Sequence, residues 1–541
     1  MKARLPWLLA AVLPLLVCAA LWWPVPLHLD SFRVHTAFGD SHAWVLDRVF
    51  GGGVDCAAGY PRSLSMRPIA WVPLLMAAVL RPLLGTLGAM NAVQLLSLPA
   101  TSVVTAIWLH RSTEVDRCTA ALLGATWALS PTFLGTLATG EISNTQGWIL
   151  PGFLLAAGVR GPGRLLAMGL VALSAAMTSP YYALALPLMA GVHELWRAVS
   201  IRTWGQSAAG LAATALGLLP AWFFYGSHDA DGRHSLFRPA RQLDVPPTEL
   251  PVPAPVAQLE DLLWQAPAAP GSDTETVHVV TLGLALLVGG IWAAWRGRGR
   301  TGHRAGLALL VGGVLASLGP VLYLGGLLRG LGPVPLPLPV AALELVGWPT
   351  RQGGLYFRYA VVAGLGLVAL VGVGLNGRRH AVLVASGLLG LQLCQSIWTS
   401  GPWTERERGP IAGRTVLERL SGDDGAVLEL PLQGVGSAWL GQPALLRAVV
   451  HKRPTTALPR DDPRGGVRVR QQLSEAMRAA DSRAALRDHG YRLMVLPHDQ
   501  VQHVEPDRRR LEAAFGPPDH RVGLYIWDLG PTETLCEPPG G

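Results

Sequence analysis

Half of the 541 residues are apolar and only 15% are charged. A soluble globular chain carries about a quarter charged residues, so that class is excluded. The formal charge of +8 does not point to nucleic acid. Residues 401–541 hold 19 basic and 19 acidic side chains, so the whole excess lies in the apolar part, where cytoplasm-facing loops account for it.

The apolar runs are long and unbroken rather than alternating, which excludes a membrane barrel and predicts a polytopic α-helical membrane protein. The first run, LPWLLAAVLPLLVCAALWWP, covers 5–24 and follows Lys2 and Arg4. It is longer than the apolar core of a signal peptide. It also ends in a Trp pair rather than a clear cleavage site, so it reads as an uncleaved span. An outer loop over 25–67 follows. Residues 68–84 are apolar but contain Pro73, Arg81 and Pro82. Counting them as a span would turn every later basic loop outward, so they predict an interfacial or re-entrant helix beside a cavity.

Spans are then expected at 86–109, 118–138, 146–159, 165–182, 183–198, 206–225, 277–295, 305–328, 357–375 and 381–399. With the first, that makes about 11 transmembrane helices. The Arg-rich connectors, including RGRGRTGHR and NGRRH, then all fall on the cytoplasmic side with the N-terminus. A Pro-rich outer loop covers 226–276. The membrane domain ends near 400. Residues 401–541 alternate short β-like runs (AVLELPL, YRLMVLP, VGLYIWDL) with helical stretches. They predict a small extracytoplasmic α/β domain. Cys56 and Cys536 both fall outside the membrane and could pair, and no CxxC spacing occurs.

Three groups could carry chemistry. Asp40 sits in a Gly-Asp turn of the first outer loop, near His35, His42, Trp44, Asp47 and Arg48. A carboxylate beside a membrane cavity can act as a general base, although an Asp after Gly is also an ordinary turn residue. Glu141 lies in TGEISNTQGW, a short outer connector with Asn144 and Gln146; the plain alternative is a solvated loop. Arg351 and Arg358 lie in TRQGGLYFRYAV at the outer start of a span. There an arginine either grips a phosphate as a fork or anchors the helix at the interface. His42, Asn144, Arg351 and Arg358 are thus the candidate substrate contacts. SHDADGRHS, 227–235, matches no metal spacing.

The order of these features resembles the GT-C superfamily of membrane glycosyltransferases, which includes protein O-mannosyltransferases and aminoarabinose transferases. The resemblance rests on the first span leading to Gly39-Asp40, and on the membrane-proximal helix at 68–84. It rests also on ATWALSPTFLGTLATGE at 125–141, TRQGGLYFRYAVVAGLGL at 350–367, and VLELPL, VVHKRPTTALPR, HGYRLMVLPHD and FGPPDHRVGLYIWDL in the tail. It implies a GT-C-like fold and transfer of a sugar from a polyprenyl-phosphate carrier to a glycan, lipid or protein acceptor on the outer face. It also implies that Asp40 corresponds to the catalytic carboxylate of the first loop. The resemblance leaves a divalent metal open as a cofactor. Here Asp40 has no adjacent acidic partner; Asp47 and Asp55 stand apart.

The expected function is therefore an inverting lipid-linked glycosyltransferase of a bacterial inner membrane, with Asp40 and Glu141 as catalytic residues. The alternative is a non-catalytic membrane protein of the same architecture, acting in envelope assembly or lipid handling. A transporter fits less well, because no internal repeat and almost no intramembrane charge are present.

Overall fold

The computed structural model describes the chain except for residues 1–3, 31–38, 52–69, 227–261, 264–280, 342–355, 400–413, 431–441, 457–462, 498–503, 534–541 and a few isolated positions. The described helices are, in chain order, α1 (Leu5–Leu21), α2 (Gly39–Gly51), α3 (Trp71–Thr113), α4 (Arg117–Ala128), α5 (Pro131–Thr139), α6 (Ile149–Ala157), α7 (Gly163–Ala176), α8 (Pro180–Ile201) and α9 (Trp204–Gly226). Then follow α10 (Leu284–Arg296), α11 (His303–Ser317), α12 (Ala360–Leu375), α13 (Ala381–Thr399), α14 (Arg414–Arg419), α15 (Gln442–His451), α16 (Pro463–Arg478), α17 (Ser482–Asp488) and α18 (Val504–Phe515). The chain divides into two compact units: Met1–Leu21, Ile69–Pro73 and Val93–Trp403, and Trp22–Pro68, Leu74–Ala92 and Thr404–Gly541.

Among its described residues the first unit is helical apart from two short hairpins between 323 and 335. Every residue of α12 is buried, as expected of a helix apolar on all sides. Glycines set its approach to α11. A Cβ on Gly313 would come within 2.3 Å of the Ala363 backbone nitrogen, and one on Gly366 within 2.4 Å of that of Leu310. Small residues let two helix backbones meet where lipid offers no hydrophobic drive.

The basic connectors of this unit meet at one end. Arg164 donates to the Gln206 carbonyl at 3.3 Å, and Arg300 to the Asn376 carbonyl at 2.9 Å. Gly302 packs against the Ser112 carbonyl. Arg164 is also buried in an ion pair with Glu194. By length and apolarity, α3 and α13 can cross a membrane alone, and α4 with α5, bent by 47°, passes the same test as a pair, as a broken span or a re-entrant loop would. Among the described residues this measure does not reach the expected eleven: α1, α7, α10, α11 and α12 are apolar but shorter than 18 residues, α6 has 9 residues, and α8 and α9 do not pass it.

Residues 71–84 and the next expected span are two helical stretches of α3 joined across a kink at Gly85 (φ 68°, ψ 176°). The break was expected near the prolines. Pro73 falls in the first turn, where its missing N–H costs nothing. The break instead goes to the glycine, whose lack of a Cβ permits positive φ.

The second unit contains a four-stranded sheet of β1 (Ala426–Glu429), β2 (Tyr491–Pro497), β3 (His520–Arg521) and β4 (Leu524–Asp528), in the order β1-β2-β4-β3. β1 and β2 pair in parallel; the other two pairings are antiparallel. Both faces are covered. Ala426, Leu428, Met494, Leu496 and Trp527 pack with Ala476, Leu486, Leu511 and Phe515 of α16–α18. Val427, Leu493, Val495 and Ile526 pack with Val416 and Leu417 of α14. Burial on both faces explains why these strands read as nearly continuous apolar runs.

A charged group is buried beside this sheet. Glu429 accepts from Arg447 at 2.7 Å, and His451 Nε2 stands 4.0 Å from its carboxylate. Burial pushes the Glu429 carboxyl up, but Arg447 and His451 outweigh it and hold it below the usual range. Burial holds His451 below the usual imidazole range; Glu429 opposes this, and Arg447 and Arg48 add to it. The geometry agrees, because His451 Nδ1 accepts the Arg453 amide at 3.1 Å and cannot do so when protonated. Both folded pKa values are depressed, so the unfolded chain binds more protons as the pH falls. This stability is complete above the ordinary histidine pKa of about 6.5 and is lost below it, first through His451 and then through Glu429. Amide exchange of residues 491–496, corrected for its intrinsic pH dependence, should report easier opening at pH 5 than at pH 7.5. Equal protection at both would contradict the assignment.

Candidate functional site

Glu141 follows α5 and opens a tight turn, with the Asn144 amide donating to its carbonyl at 2.8 Å. The turn brings Asn144 Nδ2 to Glu141 Oε2 at 2.7 Å. Ser179, the N-cap of α8, donates from its hydroxyl to Asn144 Oδ1 at 2.7 Å. The Tyr182 hydroxyl donates to the Asn144 carbonyl. Arg358 lies in a 3-10 turn (Tyr356–Tyr359) just before α12. It donates to Glu141 Oε1 at 2.5 Å and lies over the Tyr181 ring at 4.2 Å. The Arg358 and Glu141 side chains are 14% and 11% exposed, so this is a largely desolvated pair.

Sequence reasoning placed Asp40 and Glu141 on one outer cavity with Arg351 or Arg358 on its far wall, and the fold brings Glu141, Asn144 and Arg358 into one cluster. It expected the arginine across a cavity from Glu141; instead the two are in contact. Each Glu141 oxygen already receives a donor, so the carboxylate's visible work is to hold the guanidinium. The cluster also stands where α8 and α12 begin, and helix N-termini favour anions. It lies at the opposite end of α8 and α12 from the basic connectors. Ser179 and the bond from Tyr182 to Asn144 were missed. The Ser-Pro before α8, a helix-start signature, was the available signal for the first.

The segment carrying Asp40 belongs to the second unit. It was expected to be a turn, but Gly39 and Asp40 are the first two residues of α2. Ala43, Trp44, Val45 and Leu46 are buried, enough apolar surface to make the segment fold onto its neighbours. Side chains at 39–41 lie outside the described residues, and so does Arg351. His42 is half-buried in α2.

α2 is gripped from two sides. Asp47, 3% exposed, accepts from Lys452 Nζ at 2.6 Å, Thr86 Oγ1 at 3.1 Å and Arg81 at 3.4 Å. Arg81 also donates to the Phe50 carbonyl at 2.9 Å, at the helix C-terminus. Arg48 donates to the carbonyls of Lys452 and Arg453 at 2.9 and 3.3 Å. Lys452 takes φ +62°, a strained conformation that this turn over-determines. Thr86 and Lys452 also border a cleft of about 680 Å³, with Asp30, Arg414 and Glu418.

Among the described residues no three His, Cys, Asp or Glu side chains are placed to share a metal ion. Cys18, Cys118 and Cys394 are free, and Cys56 and Cys536 lie outside the described residues.

No family model and no curated protein sequence matches this chain. Solved structures do. Arabinofuranosyltransferase AftD from Mycobacteria matches with TM-score 0.52 at 16% identity, over 97% of this chain and 40% of that one. ArnT from Cupriavidus metallidurans in the apo state matches with TM-score 0.51 at 13% identity, over 97% of this chain and 98% of that one. ArnT bound to undecaprenyl phosphate gives TM-score 0.52 at 12% identity, over 97% and 99%. The chain therefore spans well under half of AftD and nearly all of ArnT. At such identities the likeness establishes the fold, which is the GT-C fold that the sequence resembled.

Proposed function

We propose that this GT-C-fold chain is an integral membrane glycosyltransferase that moves a sugar from a polyprenyl-phosphate carrier to an envelope acceptor on the extracytoplasmic face. The observation that carries this reading is the likeness, over 97% of the chain, to ArnT bound to undecaprenyl phosphate. The desolvated Glu141–Arg358 pair supports it, because it lies where two helices begin, at the end remote from the basic connectors.

In the proposed reaction Asp40 takes the proton of an acceptor hydroxyl. The hydroxyl oxygen attacks the anomeric carbon from the face opposite the phosphate. The bond from that carbon to the phosphate oxygen breaks, and the carrier leaves as polyprenyl phosphate with the sugar inverted. Arg358, oriented by Glu141 and the Tyr181 ring, meets the phosphate and stabilises its growing charge. Arg351 is assigned to the same phosphate, and His42 and Asn144 to substrate contacts. Glu141 belongs to the catalytic set as the residue that orients the arginine.

Polyprenyl phosphate binding to the protein in lipid nanodiscs tests the arginine's role. Arg358→Gln should weaken it roughly 10- to 100-fold, the worth of a charge-assisted hydrogen bond. Unchanged affinity in a variant of native melting temperature would remove Arg358 from the site.

The reading places the N-terminus in the cytoplasm and residues 401–541 outside. Ser421 is exposed. In a chain whose native cysteines are replaced, Ser421→Cys should react with an impermeant thiol reagent in spheroplasts. Protection until lysis would reverse the orientation.

One feature favours the non-catalytic alternative: both oxygens of Glu141 are engaged by Arg358 and Asn144. A carrier-binding protein without transfer would also use such a clamp.

A further inference from the structure

A second cavity of about 680 Å³ lies in the first unit, bounded by the ends of α3, α6 and α8 and the start of α11. Its walls are apolar, with Leu154, Leu155, Met189, Val192 and Leu309 among them. Its border is cationic. Arg111 and Arg304 are both exposed, and Arg304 is held over the Trp196 ring at 4.9 Å. Among the described residues Ser112 Oγ is buried without a hydrogen-bond partner. Gly302, the N-cap of α11, presses against the Ser112 carbonyl and leaves the first turn of α11 without a side-chain cap. The nearby acid, Glu194, is neutralised by Arg164 and contacts His193 Nδ1 at 2.9 Å.

We propose that this cavity binds an anionic glycerophospholipid. Its phosphate is held by Arg111, Arg304 and the Ser112 hydroxyl, and its acyl chains lie along the leucine-lined wall. Charge complementarity selects this occupant: an apolar groove opening under two arginines and an uncapped helix start fits an acyl chain joined to a phosphate. A zwitterionic lipid brings an ammonium to the same cationic border and loses part of the attraction. The cavity is distinct from the Glu141 cluster. Trp196 lies on α8 about 22 Å along the helix from Tyr181, at 1.5 Å rise per residue. The site therefore serves as a lipid anchor at the end of the unit remote from the proposed transfer chemistry.

The test reconstitutes the full-length protein in vesicles of equal phosphatidylglycerol and phosphatidylcholine, re-extracts it in mild detergent and measures co-purified lipid by mass spectrometry. Phosphatidylglycerol should be enriched at least roughly fivefold over phosphatidylcholine. Arg111→Gln with Arg304→Gln should return the ratio to that of the vesicle. Leu155→Trp, which fills the groove and leaves both arginines, should do the same at an unchanged melting temperature. Arg378→Gln with Arg379→Gln, exposed charges outside the cavity's lining, should keep the enrichment. Equal retention of both lipids by the native protein would overturn the proposal. So would loss of enrichment in the Arg378/Arg379 control, or displacement of phosphatidylglycerol by polyprenyl phosphate, which would assign the cavity to the carrier.

Discussion

Asp40→Asn should lower sugar transfer by roughly 10²–10⁴-fold, the usual worth of a positioned general base. The change keeps size and removes only the ability to take a proton, so carrier binding and melting temperature should stay within error of native. The effect should therefore fall on kcat rather than on KM. α2 gives the prediction its structural content. Asp40 is the second residue of this helix, and Asp47 and Arg48 fix it to the Lys452 turn. Lys452→Met should consequently cost activity too, but less, because Arg81 and Thr86 still hold Asp47. Full turnover by Asp40→Asn would pass the role of base to another carboxylate, Glu141 being the next candidate.

The second large effect concerns stability. Glu429→Ala leaves Arg447, 6% exposed, without its counter-charge and takes the nearby carboxylate from the buried, neutral His451. Removing one partner of a buried pair costs about 3–5 kcal/mol, a large part of the 5–15 kcal/mol typical of a whole domain. For a domain of this size the melting transition should fall by at least about 10 °C. Glu429→Gln keeps a hydrogen-bond acceptor and should fall less. Glu429→Leu combined with Arg447→Leu should recover part of the loss, because no charge is then stranded. A native transition in Glu429→Ala would show that the pair is not what holds α15 to β1.

The parts legible in the sequence were those set by short-range pattern. Unbroken apolar runs gave the helical membrane body, and VLELPL, YRLMVLP and VGLYIWDL gave the sheet. Outer connectors under one topology brought Glu141, Asn144 and Arg358 into one group. What pattern does not carry is the partner of a charged side chain. Asp47 and Lys452 are 405 positions apart, and nothing local to either names the other. The same gap explains why the arginine was expected across a cavity and found on Glu141. A desolvated guanidinium seeks the nearest carboxylate, and only the fold decides which one that is. Gly39-Asp40 looked like a turn because glycine and aspartate share that habit. The buried run behind them, Ala43 to Leu46, continued the segment as a helix.

Whether sugar leaves a polyprenyl phosphate on this protein is decided by supplying the purified protein, in bilayers, with a panel of radiolabelled polyprenyl-phosphate sugars and an envelope extract. Transfer of label from at least one donor, with release of polyprenyl phosphate and a loss of roughly 10²–10⁴-fold in Asp40→Asn, is the result expected. Tight binding of the carrier with no transfer from any donor would contradict it and leave a carrier-binding protein on a glycosyltransferase fold.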